Sequence, residues 1–538
     1  MAQDSSLSRR DLFLGAAAAT VALGASRTAG AAPDVRPFEF DDVSVADLAE
    51  RLKAGSLYSR VLTAKYIERI NDIDRKGPEL ASVLEVNPDA VEIAEALDRE
   101  RRDKGPRGPL HGIPILIKDN IDTKDKMQTT AGSLALVGAK PAKDAMVVRK
   151  LREAGAVILG KTNLSEWANF RSAHSTSGWS GRGGLTKNPH ALDRNCSGSS
   201  SGAGTAVTAS LCAVGVGTET DGSIVSPSSC CGIVGLKPTV GLVSRAGIIP
   251  ISDSQDTAGP MGRTVRDVAI LLGAIAGPDP DDGVSKDGGG HAQPDYTKFL
   301  DARGFRGAKI GVLRKLNSYG DRTLVVYEDA LRTMKREGAQ LIDPVDPPAF
   351  EQLDDPEMTV LLYEFRAGLN AYLAKLGARA PVKSLAEVIE FNIRNKAKEL
   401  AYFGQDLMVK AEVKGPLTEK AYRDARDRCR RLSRREGIDE IMEKHKLDAI
   451  VAPTGGPAWT SDLVNGDHFS GITSTPPAVA GYPSITVPMG AVFGLPVGLL
   501  FFGKAWSEPT LLKLAYAFEE ATKARRAPRF LATADLRA

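Results

Sequence analysis

The amino-acid sequence predicts an α/β fold in which one large sheet is layered with helices, and three observations predict it. Apolar runs of strand length at residues 113–117, 156–159, 212–216, 309–313 and 449–451 alternate with segments of helical periodicity, the pattern of layered α/β domains. Residues 350–446 carry no strand-like run and are rich in Leu, Ala, Glu, Arg and Lys at helical spacing, which predicts a helical insertion before the sheet resumes near Ala449. The composition is that of a folded globular chain: of 538 residues, 42% are hydrophobic and 25% charged. The 70 Lys+Arg against 67 Asp+Glu leave a net charge of +3, which argues against a global electrostatic grip on nucleic acid. No apolar run is long enough to predict an internal membrane span.

The first element is an address. Ser8-Arg9-Arg10-Asp11-Leu12-Phe13-Leu14 precedes an alanine-rich apolar run at 15–25, and Ala29-Gly30-Ala31 follows. A basic start, a short apolar core and an A-x-A site predict a cleavable export signal over residues 1–31, and the paired arginines point to the twin-arginine route. The mature chain, 32–538, is then expected to be one periplasmic or secreted domain with no stable membrane insertion. Residues 44–72 place Leu48, Leu52, Leu62, Tyr66 and Ile70 at three- and four-residue steps, predicting one or two amphipathic helices broken near Gly55. The strands at 113–117, 156–159 and 212–216 come next. Pro278, Pro280 and Gly288-Gly289-Gly290 then predict a polar loop over 278–290, ahead of the strand at 309–313. Five cysteines are too few and too scattered for a disulfide scaffold, and no Cys-x-x-Cys or His-Glu-x-x-His spacing marks a zinc site.

Two motif matches fail on context. Gly155 to Thr162 satisfies the phosphate-loop pattern G-x-x-x-x-G-K-[ST], but its variable positions are Ala, Val, Ile and Leu, themselves a strand, and the preceding segment 147–154 reads as helix. Phosphate binding needs the strand before the first glycine and inward-turned amides after it. Gly198-Ser199-Ser200-Ser201-Gly202 fits the nucleophile elbow G-x-S-x-G, nominating Ser200. An elbow needs an apolar strand upstream, whereas residues 186–197 are polar and turn-like, and His291, His445 and His468 have no persuasive context as partners.

Three blocks carry the chemistry. Gly108-Pro109-Leu110-His111-Gly112-Ile113-Pro114-Ile115-Leu116-Ile117-Lys118-Asp119-Asn120 ends an apolar strand on a lysine. The serine-rich loop 197–202 is the second. The third is Gly217-Thr218-Glu219-Thr220-Asp221-Gly222-Ser223-Ile224, followed by Cys231-Gly232-Ile233-Val234-Gly235-Leu236-Lys237-Pro238-Thr239. Together with Ala480-Gly481-Tyr482-Pro483-Ser484-Ile485-Thr486-Val487-Pro488 near the end, these blocks closely resemble the amidase signature family of serine hydrolases, over about residues 42–523.

The resemblance implies a large mixed, twisted β-sheet with helices on both faces and a helical subregion, here 350–446, that walls a substrate funnel. It implies a Ser–cis-Ser–Lys triad: Ser223 as nucleophile, Ser199 as bridging serine, picked from its neighbours by the family's 24-residue separation, and Lys118 as base, with a cis bond between Gly198 and Ser199. It further implies an oxyanion hole of backbone N–H groups from Thr220, Asp221, Gly222 and Ser223, and no metal or organic cofactor. Two positions depart from the family pattern: Asp221 replaces a usual glycine, and Val225 a usual arginine. Both alter charge beside the acyl site, where specificity is decided. Within the family, residues 217–224, 241–252, 254–261 and 402–406 are most similar to bacterial peptide amidases, which remove the C-terminal amide of peptides without cutting internal bonds. Aryl or alkyl amides or esters are the alternative substrates. A glutamine amidotransferase subunit is the more distant reading, because an export signal would carry the chain away from tRNA. Oligomeric state is left open.

The 70 residues of 178–247 hold 14 of the 53 glycines, about twice the density of the chain as a whole. Glycine accepts unusual backbone angles and close approach, so this density is expected of the loops that would build such a site.

Overall fold

In the computed structural model, which describes residues 35–315 and 319–537, thirteen strands are present. They are β1 (Val83–Val86), β2 (Pro114–Lys118), β3 (Val157–Thr162), β4 (Trp179–Ser180), β5 (Gly184–Leu185), β6 (Val214–Glu219), β7 (Val234–Lys237), β8 (Thr257–Gly262), β9 (Lys309–Val312), β10 (Gln340–Ile342), β11 (Ala449–Pro453), β12 (Ser484–Val492) and β13 (Leu495–Phe502). Strands β4 and β5 form a small separate pair. The other eleven make one sheet in the order β1-β3-β2-β6-β8-β7-β12-β13-β11-β9-β10. The sheet is mixed: β2 runs parallel to β3 and β6, while β6–β8, β7–β12 and β12–β13 are antiparallel. All five expected strands are present, each overlapping its predicted range, and helices surround the sheet. The export signal expected at 1–31 lies outside the described residues.

The parallel pairing of β2 with β6 places the site. Its register, Leu116 opposite Gly215 and Ile117 opposite Val216, brings the carboxyl ends of both strands to one edge, so Lys118 and Thr218 meet there. Every residue of β2 and β6 is buried, which explains why their sequences read as continuous apolar runs rather than alternating ones. Ile115, Leu116, Ile117, Val214 and Val216 belong to the main hydrophobic core; burying each large aliphatic side chain contributes roughly 1.5–3 kcal/mol.

The N-terminal helices follow their local signals. Helix Val45–Lys53 is capped by Ser44, whose hydroxyl accepts the Asp47 N–H, and it carries Asp47 in its first turn and Arg51 and Lys53 in its last, matching charge to the helix dipole. The chain breaks at Gly55 (φ +72°) and resumes as helix Ser59–Arg69. Residues 350–446 are helical as expected, with the long helix Asp354–Leu376 at their start.

One expectation needs correction. The predicted loop 278–290 contains a helical turn, Gly283–Gly288. Two of its aspartates are tied down rather than solvated: Asp282 pairs with Arg245 at 2.7 Å, and Asp279, 1% exposed, accepts from the Ser244 hydroxyl at 2.6 Å. Tertiary pairing has thus overridden a breaker-rich composition. A second buried ion pair supports the site from behind. Arg171 pairs with Glu166 at 2.8 Å, bonds the Glu399 carbonyl at 2.6 Å and stacks 4.0 Å from the Phe403 ring. It thereby staples the helical region to the segment carrying Ser165, which in turn holds the serine loop.

Candidate active site

Lys118 ends β2 with no solvent exposure. Its Nζ lies 2.8 Å from Ser199 Oγ, 2.9 Å from Thr218 Oγ1 and 3.2 Å from the Thr218 carbonyl oxygen. Burial pushes its pKa down from 10.5 to about 7, against the opposing charges of Asp256 and Glu219. A lysine in this setting exchanges its proton near neutrality. The protein also buries Lys161 and Lys237, but among the described residues their hydrogen bonds go to the Ile121 carbonyl and Thr129 hydroxyl, and to the Pro238 carbonyl, respectively. Lys161 belongs to the phosphate-loop lookalike, and β3 runs straight through Gly160–Thr162 as sheet. That motif is structural.

The serine loop assigns its three hydroxyls to different tasks. The Gly198–Ser199 peptide is cis, and the Ser199 carbonyl accepts the Ser165 N–H at 3.1 Å. A Cβ on Gly198 would sit 2.2 Å from Ser165 Oγ, so a larger residue there has to displace that hydroxyl from the Gly178 N–H it accepts. Ser200 Oγ donates to the Thr218 carbonyl at 3.0 Å and accepts the Thr218 N–H at 3.2 Å. Ser201 Oγ donates to the Ser197 carbonyl at 2.7 Å. Only Ser199 of the three meets the lysine. The Ser200 N–H then donates to the Ser223 carbonyl at 3.1 Å, joining this loop to the third block.

Residues 219–225 curl around a buried carboxylate: Glu219 accepts the N–H groups of Ile224 at 2.7 Å and Val225 at 3.0 Å. Gly222 supplies the left-handed backbone (φ +75°) at the turn, where a Cβ would come within 2.9 Å of Ser474 Oγ. Among the described residues, no acceptor is bonded to the N–H groups of Thr220, Asp221, Gly222 or Ser223. The turn is braced on two sides. Thr220 Oγ1 donates to Asp256 at 2.6 Å, and the hydroxyls of Ser474 and Thr475 donate to Asp221. Asp221 therefore ties the turn to the start of helix Thr475–Ala480, and burial raises its carboxyl pKa. Val225 is fully buried in an apolar cluster with Ile472, Val479 and Ala480.

The structure thus brings Lys118 and Ser199 into contact and sets Ser223 with the turn 220–223 beside them. Thr218, Asn120, Glu219 and Asp256 escaped the sequence reading. Asn120 Nδ2 donates to Thr218 Oγ1 at 3.0 Å, so it orients the threonine that holds the lysine. Thr218 and Glu219 stood inside a recognised block, yet nothing in residue spacing says that one would face a lysine and the other a turn. A cavity of about 650 Å³ adjoins Asn120, Thr218 and Thr220 and is walled by residues 245–253 and the helix Asp354–Leu376. That size suits a small organic ligand.

A buried lysine against a serine loop, at the carboxyl ends of two inner strands of an eleven-stranded mixed sheet, defines a hydrolase of the amidase class. The comparisons agree, and the chain belongs to the amidase family: the family model described as Amidase matches residues 61–512. The crystal structure of native peptide amidase from Stenotrophomonas maltophilia is similar at 53% identity and a TM-score of 0.88, covering 92% of this chain and 100% of that one. A probable amidase of Arabidopsis thaliana is 44% identical over 518 residues, 94% of this chain and 95% of its own length. A glutamyl-tRNA(Gln) amidotransferase subunit from Rippkaea orientalis is 35% identical over 89% of this chain and 98% of that protein.

Proposed function

We propose that the protein is an exported amidase that hydrolyses the C-terminal carboxamide of peptides through Ser223, Ser199 and Lys118. The observation that carries the mechanism is the 2.8 Å contact of buried Lys118 Nζ with Ser199 Oγ, beside the turn that bears Ser223. Neutral Lys118 accepts the Ser199 proton while Ser199 accepts that of Ser223, whose Oγ attacks the amide carbon. The carbonyl oxygen gathers negative charge and is received by the N–H groups of Thr220, Asp221, Gly222 and Ser223; each such donor is commonly worth ~2.7–4 kcal/mol of transition-state stabilisation. The proton held by Lys118 returns through Ser199 to the departing nitrogen, so ammonia leaves rather than an amide anion. Water then attacks acyl-Ser223 through the same relay, releasing the carboxylic acid and restoring the serine. No step uses a metal or an organic cofactor.

The substrate reading is supported by the 53% identity to peptide amidase over the whole of that chain, and export by the residues at 8–31. The test is mass spectrometry of the purified protein incubated with amidated peptides, aryl amides, esters and glutamine. Ammonia and conversion of amide to acid at the peptide C-terminus are expected, with internal bonds intact. Turnover confined to aryl amides or esters would move the protein to the alternative substrates, and glutamine as the sole productive amide would favour the amidotransferase reading.

The choice of Ser199 is tested by its neighbour. Ser200→Ala removes two hydrogen bonds to the Thr218 backbone, a stability loss of ~1–3 kcal/mol, but takes nothing from the relay. Measurable turnover is expected; a loss as complete as that of Ser223→Ala would reassign the bridging serine.

A further inference from the structure

We propose, resting on the amide-hydrolase reading above, that the 650 Å³ cavity beside the turn 219–224 receives a cationic group of the substrate, so that amides with a lysine-like side chain next to the scissile group are preferred. Thr220 stands both in the cavity wall and in the turn that faces the reacting carbonyl. A group in the cavity is therefore on the acyl side of the bond that is cut.

The wall carries seven aspartates against four basic residues, and three of those four are already engaged within it. Arg245 pairs with Asp282 at 2.7 Å, Lys143 with Asp281, and Arg149 lies 3.9 Å from Asp279. The fourth, Lys375, is exposed on the long helix. Asp122 and Asp256 have no Lys or Arg nitrogen within 4 Å among the described residues. Asp122, 6% exposed, accepts from the Tyr372 hydroxyl at 2.8 Å. Asp256 accepts from Thr220 Oγ1 and from the N–H groups of Ile251 and Ser252 at 2.8 and 2.9 Å. Asn120 stands in the same wall, 3% exposed. Its Nδ2 is bonded to Thr218, and its Oδ1 has no partner among the described residues.

Two carboxylates with no direct ion pair among the described residues and one amide oxygen without a donor thus border a space open to a side chain. An ammonium group brings both the charge and the donors; a neutral chain brings neither, and an anion is repelled. Burial holds the carboxyls of Asp122 and Asp256 up, at about 7 and about 6, against the more distant charges of Lys161 and Arg245. The acids are also dispersed: among the described residues no three are grouped so as to hold a metal ion.

The test is calorimetric binding of N-acetylated dipeptide amides ending in lysine amide, norleucine amide or glutamate amide to full-length Ser223→Ala protein, which retains the cavity without turnover. The lysine amide is expected to bind about 10-fold tighter than its neutral norleucine counterpart, which lacks the terminal ammonium, with the glutamate amide weakest. The preference should shrink at least about 3-fold in Asp122→Asn or Asp256→Asn. Equal or weaker binding of the lysine amide overturns the proposal, and this comparison needs no cavity variant to fold. A preference undiminished in both variants overturns it as well. Turnover by the native protein separates the two readings. Hydrolysis of both amides without a lysine preference in binding removes the cation site and leaves the amidase reading. A lysine preference in binding with no ammonia from either amide keeps the site and removes the peptide-amide reading.

Discussion

Ser223→Ala lowers kcat/KM for a peptide amide by at least about 10⁴-fold, with the fold intact. The substitution removes one hydroxyl from a position 7% exposed. The backbone ties of the turn, Ser200 N–H to the Ser223 carbonyl and Glu219 to the N–H groups of Ile224 and Val225, do not involve that hydroxyl. Thermal unfolding should therefore move little while acyl-enzyme formation disappears. Intact-mass spectrometry with a slowly deacylating ester gives the direct readout: an added acyl mass on the native protein and none on the variant. Acylation of Ser223→Ala would place the nucleophile elsewhere.

Lys118→Met brings a comparable loss of rate together with a gain in stability at neutral pH, a combination that a merely structural lysine does not produce. The sign follows from the depressed pKa. Folded Lys118 titrates at about 7, unfolded lysine near 10.5. Above the unfolded value both states are neutral and there is no penalty. As the pH falls from there towards 7 the unfolded chain gains a proton that the native protein refuses, so stability declines; below 7 the penalty is constant. At its maximum it amounts to roughly 4–5 kcal/mol. Methionine removes it, but takes the lysine donor from the Ser199 hydroxyl and leaves the Thr218 carbonyl with Ser200 Oγ as its donor. A net gain of ~1–3 kcal/mol is expected, read from denaturant unfolding at neutral pH. In the native protein kcat/KM should fall about tenfold per pH unit below about 7 and level off above it, because the ammonium form cannot accept a proton. A flat profile between about pH 5 and 8 would contradict the assignment of Lys118 as base. The double variant Ser223→Ala/Lys118→Met should be no slower than either alone, since the groups act as one unit.

Much of this site was legible in the chain because its parts lie in short contiguous blocks. The glycine-rich density at 178–247 corresponds to a close approach to Ser165 at Gly198 and to a left-handed turn against Ser474 at Gly222. Several strands were less legible. Residues 257–262, Thr-Ala-Gly-Pro-Met-Gly, are buried at every position, and β12 and β13 both contain proline. Such strands break the usual propensity rules because burial on both faces, rather than alternation, holds them in the sheet.

Residue order alone determined the layered α/β class, the helical stretch 350–446 and, through family resemblance, which serine and lysine to examine. These rest on local periodicity and contiguous motifs, which a linear chain carries in itself. Only the tertiary structure decided which buried lysine meets a serine hydroxyl, that Thr218 and Asn120 hold it, and that Asp221 braces the turn against Ser474 and Thr475. It alone left Asp122, Asp256 and Asn120 facing one cavity. Those facts depend on residues 81 to 254 positions apart meeting around the ends of β2 and β6. Contact and burial at such separations, and the electrostatics that follow from them, exist only once the sheet has set its strand order and register.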